Sequence, residues 1–221
     1  MLLSELQYGA LLSYASHGYT DQIKYSRDIM LKLKQDGFVQ SSSSNILISK
    51  WIAQTIQRNR TSPAFSSLAS LFQPDAVLVP TPKSSLMDEG TLWVPYRLAM
   101  ALVNCGLGKE VAQILKRIKP VPKAALSTPE NRPLPQDHYD SMQVQKPLSE
   151  PSDILLIDDV ITRGATLLGA ASRLADAFPN AHIRAFAAMR TITNESEFER
   201  LYYPTVGEIT LRPSGDTLRR P

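Results

Sequence analysis

The stretch ILLIDDVITRGATL, from Ile154 to Leu167, decides how this chain is read. Four apolar residues, Ile154 to Ile157, run into two adjacent carboxylates, Asp158 and Asp159. A short, continuous apolar run suits a strand buried on both faces. Thr162, Gly164 and Thr166 follow, at the start of an Ala/Leu-rich helical pattern. Unpaired N–H groups and the positive end of the helix dipole make such a turn an anion site, most simply for a phosphate monoester. Gly164 suits a point where the backbone approaches phosphate closely or takes a positive φ. Ionised carboxylates only accept hydrogen bonds, so Asp158 and Asp159 pair naturally with vicinal sugar hydroxyls or with water on Mg²⁺. Diol acceptors beside a phosphate cradle describe ribose 5-phosphate. An isolated Asp pair would read as a helix cap, but the whole pattern behind an apolar strand is more specific.

The flanking sequence supplies the rest of an α/β fold. DAVLVP, residues 75–80, is another short apolar run, closed by proline, and a helical stretch spans Leu92 to Cys105. EVAQILKRI passes from helix toward strand, and SMQVQ and HIRAFAAM read as strands, with a helix from Arg163 to Ala177. Strand, helix, strand, helix, strand predicts a parallel sheet flanked by helices. Ligands of such sheets bind at the carboxyl ends of the strands, where both TPKSS and DDVITRGAT would emerge. Between them, Lys119 to Gln136 is rich in proline and polar residues without periodicity, the pattern of a disordered segment or a functional lid. The first seventy or so residues read as helical, with one helix starting at Thr20 or Asp21 and ending at Gly37, and a second in NILISKWIAQTIQR. The expected organisation is a helical N-terminal region over 1–73, a core over 74–191, and a small C-terminal hood or tail over 192–221.

Composition is that of an ordinary globular chain: 221 residues, 43% hydrophobic and 20% charged. The net charge of +3 is too slight for a dedicated nucleic-acid protein, so nucleic acid is not the favoured partner. Lys116, Arg117, Lys119 and Lys123 cluster before the acidic motif, and Arg212, Arg219 and Arg220 lie near the C-terminus. One cysteine, Cys105, excludes an intramolecular disulfide and a cysteine-rich zinc site, and sits in a helical run that suits a buried thiol. His17, His138 and His182 are scattered and make no metal cluster, and His138 is expected at the surface. Tyr139, Phe186, Tyr202 and Tyr203 fit core or hood packing better than base stacking, and Arg97 suits either a phosphate contact or a surface ion pair. No GxxxxGK[ST] or dinucleotide-binding glycine fingerprint occurs. The N-terminus shows no basic leader and no run approaches a membrane span, so a cytoplasmic location without membrane contact is expected.

The hydrophobic strand, the acidic pair and the TxGxT turn resemble the phosphoribosyl-pyrophosphate signature of type I phosphoribosyltransferases. A second resemblance, to amidophosphoribosyltransferase-like proteins related to competence protein ComF, rests on LVPTPKSS, on Arg117 and on AAMR, Ala187 to Arg190. The four-cysteine zinc ribbon common among ComF-type proteins is absent, and Arg163 stands where a small residue is usual. The resemblance implies a parallel core sheet under a hood, and phosphoribosyl pyrophosphate bound with Mg²⁺. It puts the 5-phosphate on Val160, Ile161, Thr162, Arg163, Gly164, Ala165 and Thr166, and the ribose hydroxyls near Asp158 and Asp159, which would also hold Mg²⁺ through water. The pyrophosphate would meet Thr81, Pro82, Lys83, Ser84 and Ser85, with Lys83 as its cation. Lys123 and Arg132 would belong to a mobile lid. The implied reaction transfers phosphoribosyl to an unidentified nitrogenous acceptor and releases pyrophosphate. The alternative is a non-catalytic regulator that binds the same ligand, or an accessory factor in DNA uptake, processing or defence. A homodimer or a docked partner protein is compatible with either.

Overall fold

The computed structural model describes residues 1–41, 44–88, 90–122 and 131–221. Strand β1 (Glu5–Ala15) opens the chain, followed by helix α1 (Asp21–Lys34), whose first turn is capped by the Thr20 side chain accepting from the Ile23 N–H. The antiparallel pair β2 (Phe38–Gln40) and β3 (Asn45–Leu47) leads to α2 (Ile48–Asn59) and the short α3 (Ser66–Ala69). Then come β4 (Val77–Pro80), α4 (Val94–Asn104), β5 (Glu110–Val111) and β6 (Leu115–Arg117). Helix α5 (Pro135–Asp140) precedes β7 (Met142–Val144), β8 (Asp153–Ile161) and α6 (Ala165–Ala177). The chain ends with β9 (His182–Ile192), β10 (Tyr202–Leu211) and β11 (Thr217–Arg220).

Among the described residues, seven strands form one sheet in the order β11-β10-β1-β9-β8-β4-β5. Every pairing from β1 through β9, β8 and β4 to β5 is parallel, whereas β10 runs antiparallel to both β1 and β11. Alternation along β8 shows why its sequence is continuously apolar. Ile154 and Leu156 point into one buried layer, with Leu167, Leu168, Ala171 and Leu174 of α6. Leu155 and Ile157 point into the other, with Leu33 of α1, Ile52 of α2 and Leu98 of α4. A strand covered by helices on both sides has no polar face to show.

The parallel α/β sheet is as the sequence implies. Strands β4 and β7 and helices α4 and α6 fall within the segments expected for them, while β8 and β9 cover theirs and run on to Ile161 and Ile192. Two expectations are corrected. The N-terminal region is not wholly helical, because ELQYGALLSYA forms β1, inserted between β9 and β10 in the middle of the sheet. The C-terminal segment is not a hood or tail, because β10 and β11 extend the same sheet. Strand β7 pairs with β6 as a separate two-stranded ribbon rather than joining the main sheet.

Leu12 of β1 is fully buried in the layer shared with α1 to α4. Leu12→Ala is expected to cost about 2–5 kcal/mol in urea unfolding, within one cooperative transition of the whole domain. A loss under about 0.5 kcal/mol, typical of surface positions, would contradict the central place of β1.

Candidate functional site

The connections reverse direction between β4 and β8. Strand β4 feeds α4 on one face and returns as β5 on its outer side, whereas β8 feeds α6 on the opposite face and returns as β9 on its other side. Helices leaving to opposite sides open a crevice beyond the carboxyl ends of these two strands, the place where open α/β sheets bind ligands. The loop starting at Thr81 and the segment from Asp158 to Thr166 both begin there.

The two are tied by hydrogen bonds. The Thr81 N–H donates to the Ile157 carbonyl at 2.9 Å, and the Thr81 hydroxyl lies 2.9 Å from Asp158 Oδ1. The Thr81 carbonyl in turn accepts from Trp93 Nε1 at 2.8 Å. Asp158 Oδ1 also accepts the Asp159 N–H, and Asp159 Oδ1 accepts the Val160 N–H, so both carboxylates are oriented by the strand end itself. Burial first, and then the neighbouring Asp159 charge, raise the Asp158 carboxyl to about 7, against the opposing pull of Lys34 and of the Thr81 hydrogen bond. Lys34, at the end of α1, meets Asp159 Oδ1 at 2.9 Å. Sequence reading missed it, because 125 residues separate the two partners.

The turn that follows is braced from outside by the C-terminal strands. Gly164 has φ 92°, a left-handed conformation, and a Cβ there would stand 2.8 Å from the Ile209 side chain of β10. Arg163 pairs with Asp216 at 2.5 Å, so its charge is engaged by the loop before β11. Arg219 of β11 donates to the carbonyls of Thr162 and Thr191 at 2.6 Å each, and to the Tyr8 hydroxyl at 3.0 Å. Thr162 Oγ1 lies 3.3 Å from Thr191 Oγ1, and Thr166 Oγ1 lies 3.3 Å from His138 Nε2. Ile161 is buried as the last residue of β8, Val160 is partly buried beside it, and Ala165 begins α6.

On the other side of the crevice, Thr81 and Pro82 are buried, Lys83 and Ser84 half-buried, and Ser85 exposed. The Lys83 ammonium makes no ion pair among the described residues, while its carbonyl accepts from Arg117 Nε at 2.9 Å. Arg117 is buried, hydrogen-bonds the Ser141 hydroxyl, and leaves Nη2 without a partner among the described residues. Burial lowers its pKa to about 10, with Asp158 opposing the shift. The proline-rich segment is rooted here, because β6 and β7 pair Arg117 with Met142 and so close its two ends. The Val121 N–H donates to the Ser84 carbonyl at 2.9 Å and lays the start of that segment on the Thr81 loop. Arg132 is partly buried, with no partner for its Nε among the described residues, and Lys123 lies outside them.

Several side chains stand apart from the expectations. His138 is buried rather than at the surface, and burial followed by the charges of Arg117 and Arg163 drives its pKa down to about 3. It packs where α5 approaches Gly169 of α6, whose added Cβ would meet the Pro135 carbonyl at 2.5 Å. Arg97 pairs at 3.3 Å with the buried carboxylate of Asp36. Cys105 is only partly buried. Phe186 is core, Tyr139 bonds Asp176, Tyr202 packs on Phe65, and Tyr203 lies under Arg190 and Arg200.

The chain matches no family model and no curated protein. A solved structure similar to it is a hypoxanthine phosphoribosyltransferase from Staphylococcus aureus, at 13% identity and a TM-score of 0.35, over 75% of this chain and 89% of that one. A likeness that weak distinguishes no activity, and the α/β architecture stands on its own strand order. No helix among the described residues is long and apolar enough to cross a membrane.

The raised Asp158 carboxyl has a measurable consequence. An unfolded aspartate titrates near 4, so the folded protein keeps a proton that the unfolded chain has given up. The stability this group contributes therefore falls as pH rises from about 4 through about 7. Asp158→Asn, which cannot ionise, should melt higher than the parent by a margin that grows between about pH 5 and pH 8. A margin independent of pH in thermal melts would contradict the shift.

Proposed function

We propose that this chain binds phosphoribosyl pyrophosphate in the crevice between β4 and β8, and transfers its phosphoribosyl group to a nitrogenous acceptor. One observation carries the reading. The Thr81 loop and the acidic strand end, 77 residues apart, meet at the switch point of the sheet and are joined through Thr81 and Asp158. A ligand with an anion at each end and a diol between would span them: 5-phosphate on the Thr162–Thr166 turn, hydroxyls at Asp158 and Asp159, pyrophosphate at Thr81–Ser85. Lys83, which makes no ion pair among the described residues, and Arg117, whose Nη2 has no partner among them, lie on the pyrophosphate side.

The acidic pair fits Mg²⁺, a hard cation that keeps several waters and needs one or two carboxylates plus ligand phosphate oxygens. Among the described residues no group of three potential ligands could hold a metal alone, which matches an ion shared with the ligand. When bound, Mg²⁺ would supply charge neutralisation to the departing pyrophosphate.

The chain's own contribution is positioning and electrostatics. The C1–O bond breaks with its electron pair leaving on pyrophosphate, the acceptor nitrogen bonds C1, and that nitrogen gives up a proton. Asp158 and Asp159 face the positive charge that develops on the ribose, while Lys83 and Arg117 receive the leaving anion.

Calorimetry with Mg²⁺ and phosphoribosyl pyrophosphate tests the site. Asp158→Asn with Asp159→Asn should abolish cation-dependent binding, and unchanged affinity would sink the assignment. Lys83→Ala should weaken binding of the pyrophosphorylated sugar by at least about tenfold, against less than about twofold for ribose 5-phosphate. Equal losses for the two ligands would remove Lys83 from the pyrophosphate role. Pyrophosphate release across a panel of bases, amines and ammonia tests the transfer: release with one acceptor supports it, whereas tight binding without release makes the chain a ligand-binding regulator.

A further inference from the structure

Helix α1 is not part of the α/β core sequence motif, yet it ends on the acidic pair. Lys34 stands in its last turn, with Nζ 2.9 Å from Asp159 Oδ1. The Asp159 side chain is 14% exposed and that of Lys34 48% exposed, so the carboxylate is enclosed while the lysine approaches from solvent. Lys34 also feels Asp158: burial lowers its pKa, but the attraction of Asp159 and then of Asp158 outweighs this, and the net shift is upward.

The helix end that carries Lys34 is firmly held. Just beyond it, Asp36 takes a left-handed φ of 45° and is buried. Its carboxylate accepts the Ser49 N–H at the start of α2 at 3.1 Å and meets Arg97 of α4 at 3.3 Å. Helices α2 and α4 thus fix where α1 stops, and the flexible four-carbon stem of Lys34 makes the remaining reach. The backbone is anchored and only the side chain is free to swing away.

An ammonium within hydrogen-bond distance of a carboxylate occupies the position from which a hydrated divalent cation would be held, and repels that cation at short range. We propose that Lys34 is a resident cation of the acidic edge: it is seated on Asp159 in the free protein and must leave when a divalent cation binds, which ties loading of the site to the end of α1. The inference rests on reading Asp158 and Asp159 as a cation-binding edge. It adds to that reading a residue of the N-terminal region that sets how tightly the cation is taken.

The test uses Mn²⁺ alone, so it is independent of any sugar ligand. Electron paramagnetic resonance of free Mn²⁺ is titrated with the full chain, with Lys34→Gln and Lys34→Arg, and with Lys34→Gln carrying Asp159→Asn. Lys34→Gln should tighten Mn²⁺ binding about tenfold, a modest fraction of the charge repulsion removed. Lys34→Arg, which keeps the charge, should stay near the parent, and Asp159→Asn should erase the gain. Unchanged or weaker binding in Lys34→Gln overturns the proposal, as does absence of Mn²⁺ binding in both the parent and Lys34→Gln. A gain in Mn²⁺ affinity in a chain that ignores phosphoribosyl pyrophosphate would keep the role of Lys34 and sink the ligand assignment.

Discussion

The register of β4 against β8 is the constraint on which the site depends. Pro80 pairs with Ile157, so the next residue on each strand, Thr81 and Asp158, arrive at the sheet edge side by side. A shift of one residue would turn every side chain of β8 to the other face. It would send Leu155 and Ile157 away from α1 to α4, and Ile154 and Leu156 away from α6. Burial on both faces therefore fixes the register, and the register fixes the Thr81–Asp158 contact. Because the helices after β4 and β8 lie on opposite faces, they diverge from the edge between them, where open α/β sheets bind ligands.

Around that edge, distant parts of the chain each contribute one restraint. The C-terminal hairpin holds the Thr162–Thr166 turn through Ile209, Asp216 and Arg219. The root of the proline-rich segment holds the Thr81 loop through Arg117 and Val121. The N-terminal helix reaches Asp159 through Lys34. Charge is arranged unevenly across the crevice. Among the described residues, the acidic strand end faces the bonded Lys34, while on the opposite wall Lys83 makes no ion pair and Arg117 Nη2 has no partner.

Local pattern carried the core and not the rest. ILLIDD and DAVLVP read as buried strands because four or so apolar residues closed by acid or proline leave little else to form. Thr20 was legible as a helix start for the same kind of local reason. ELQYGALLSYA was not legible as a strand. Buried from Tyr8 through Leu12, it lacks a polar face, and such a run cannot be told from a buried helix by period alone. In the candidate site, the loops that emerge at the carboxyl ends of β4 and β8 were visible, and single side chains brought in by packing from other elements, such as Lys34, were not. His138 shows the limit: nothing in PQDHYDS marks it as buried against Thr166, because only the approach of α5 to Gly169 puts it there. Arg97 and Asp36, 61 residues apart, show it again.

The proposed ligand would bridge the two loops that β4 and β8 deliver. Crystals of the full chain grown with phosphoribosyl pyrophosphate and Mg²⁺ test it most directly. Difference density is expected with a phosphate on the turn from Thr162 to Thr166, a diphosphate against Thr81 to Ser85, and a ribose between them at Asp158 and Asp159. Density on some other face of the sheet, or an empty crevice in crystals grown at saturating ligand, would contradict it.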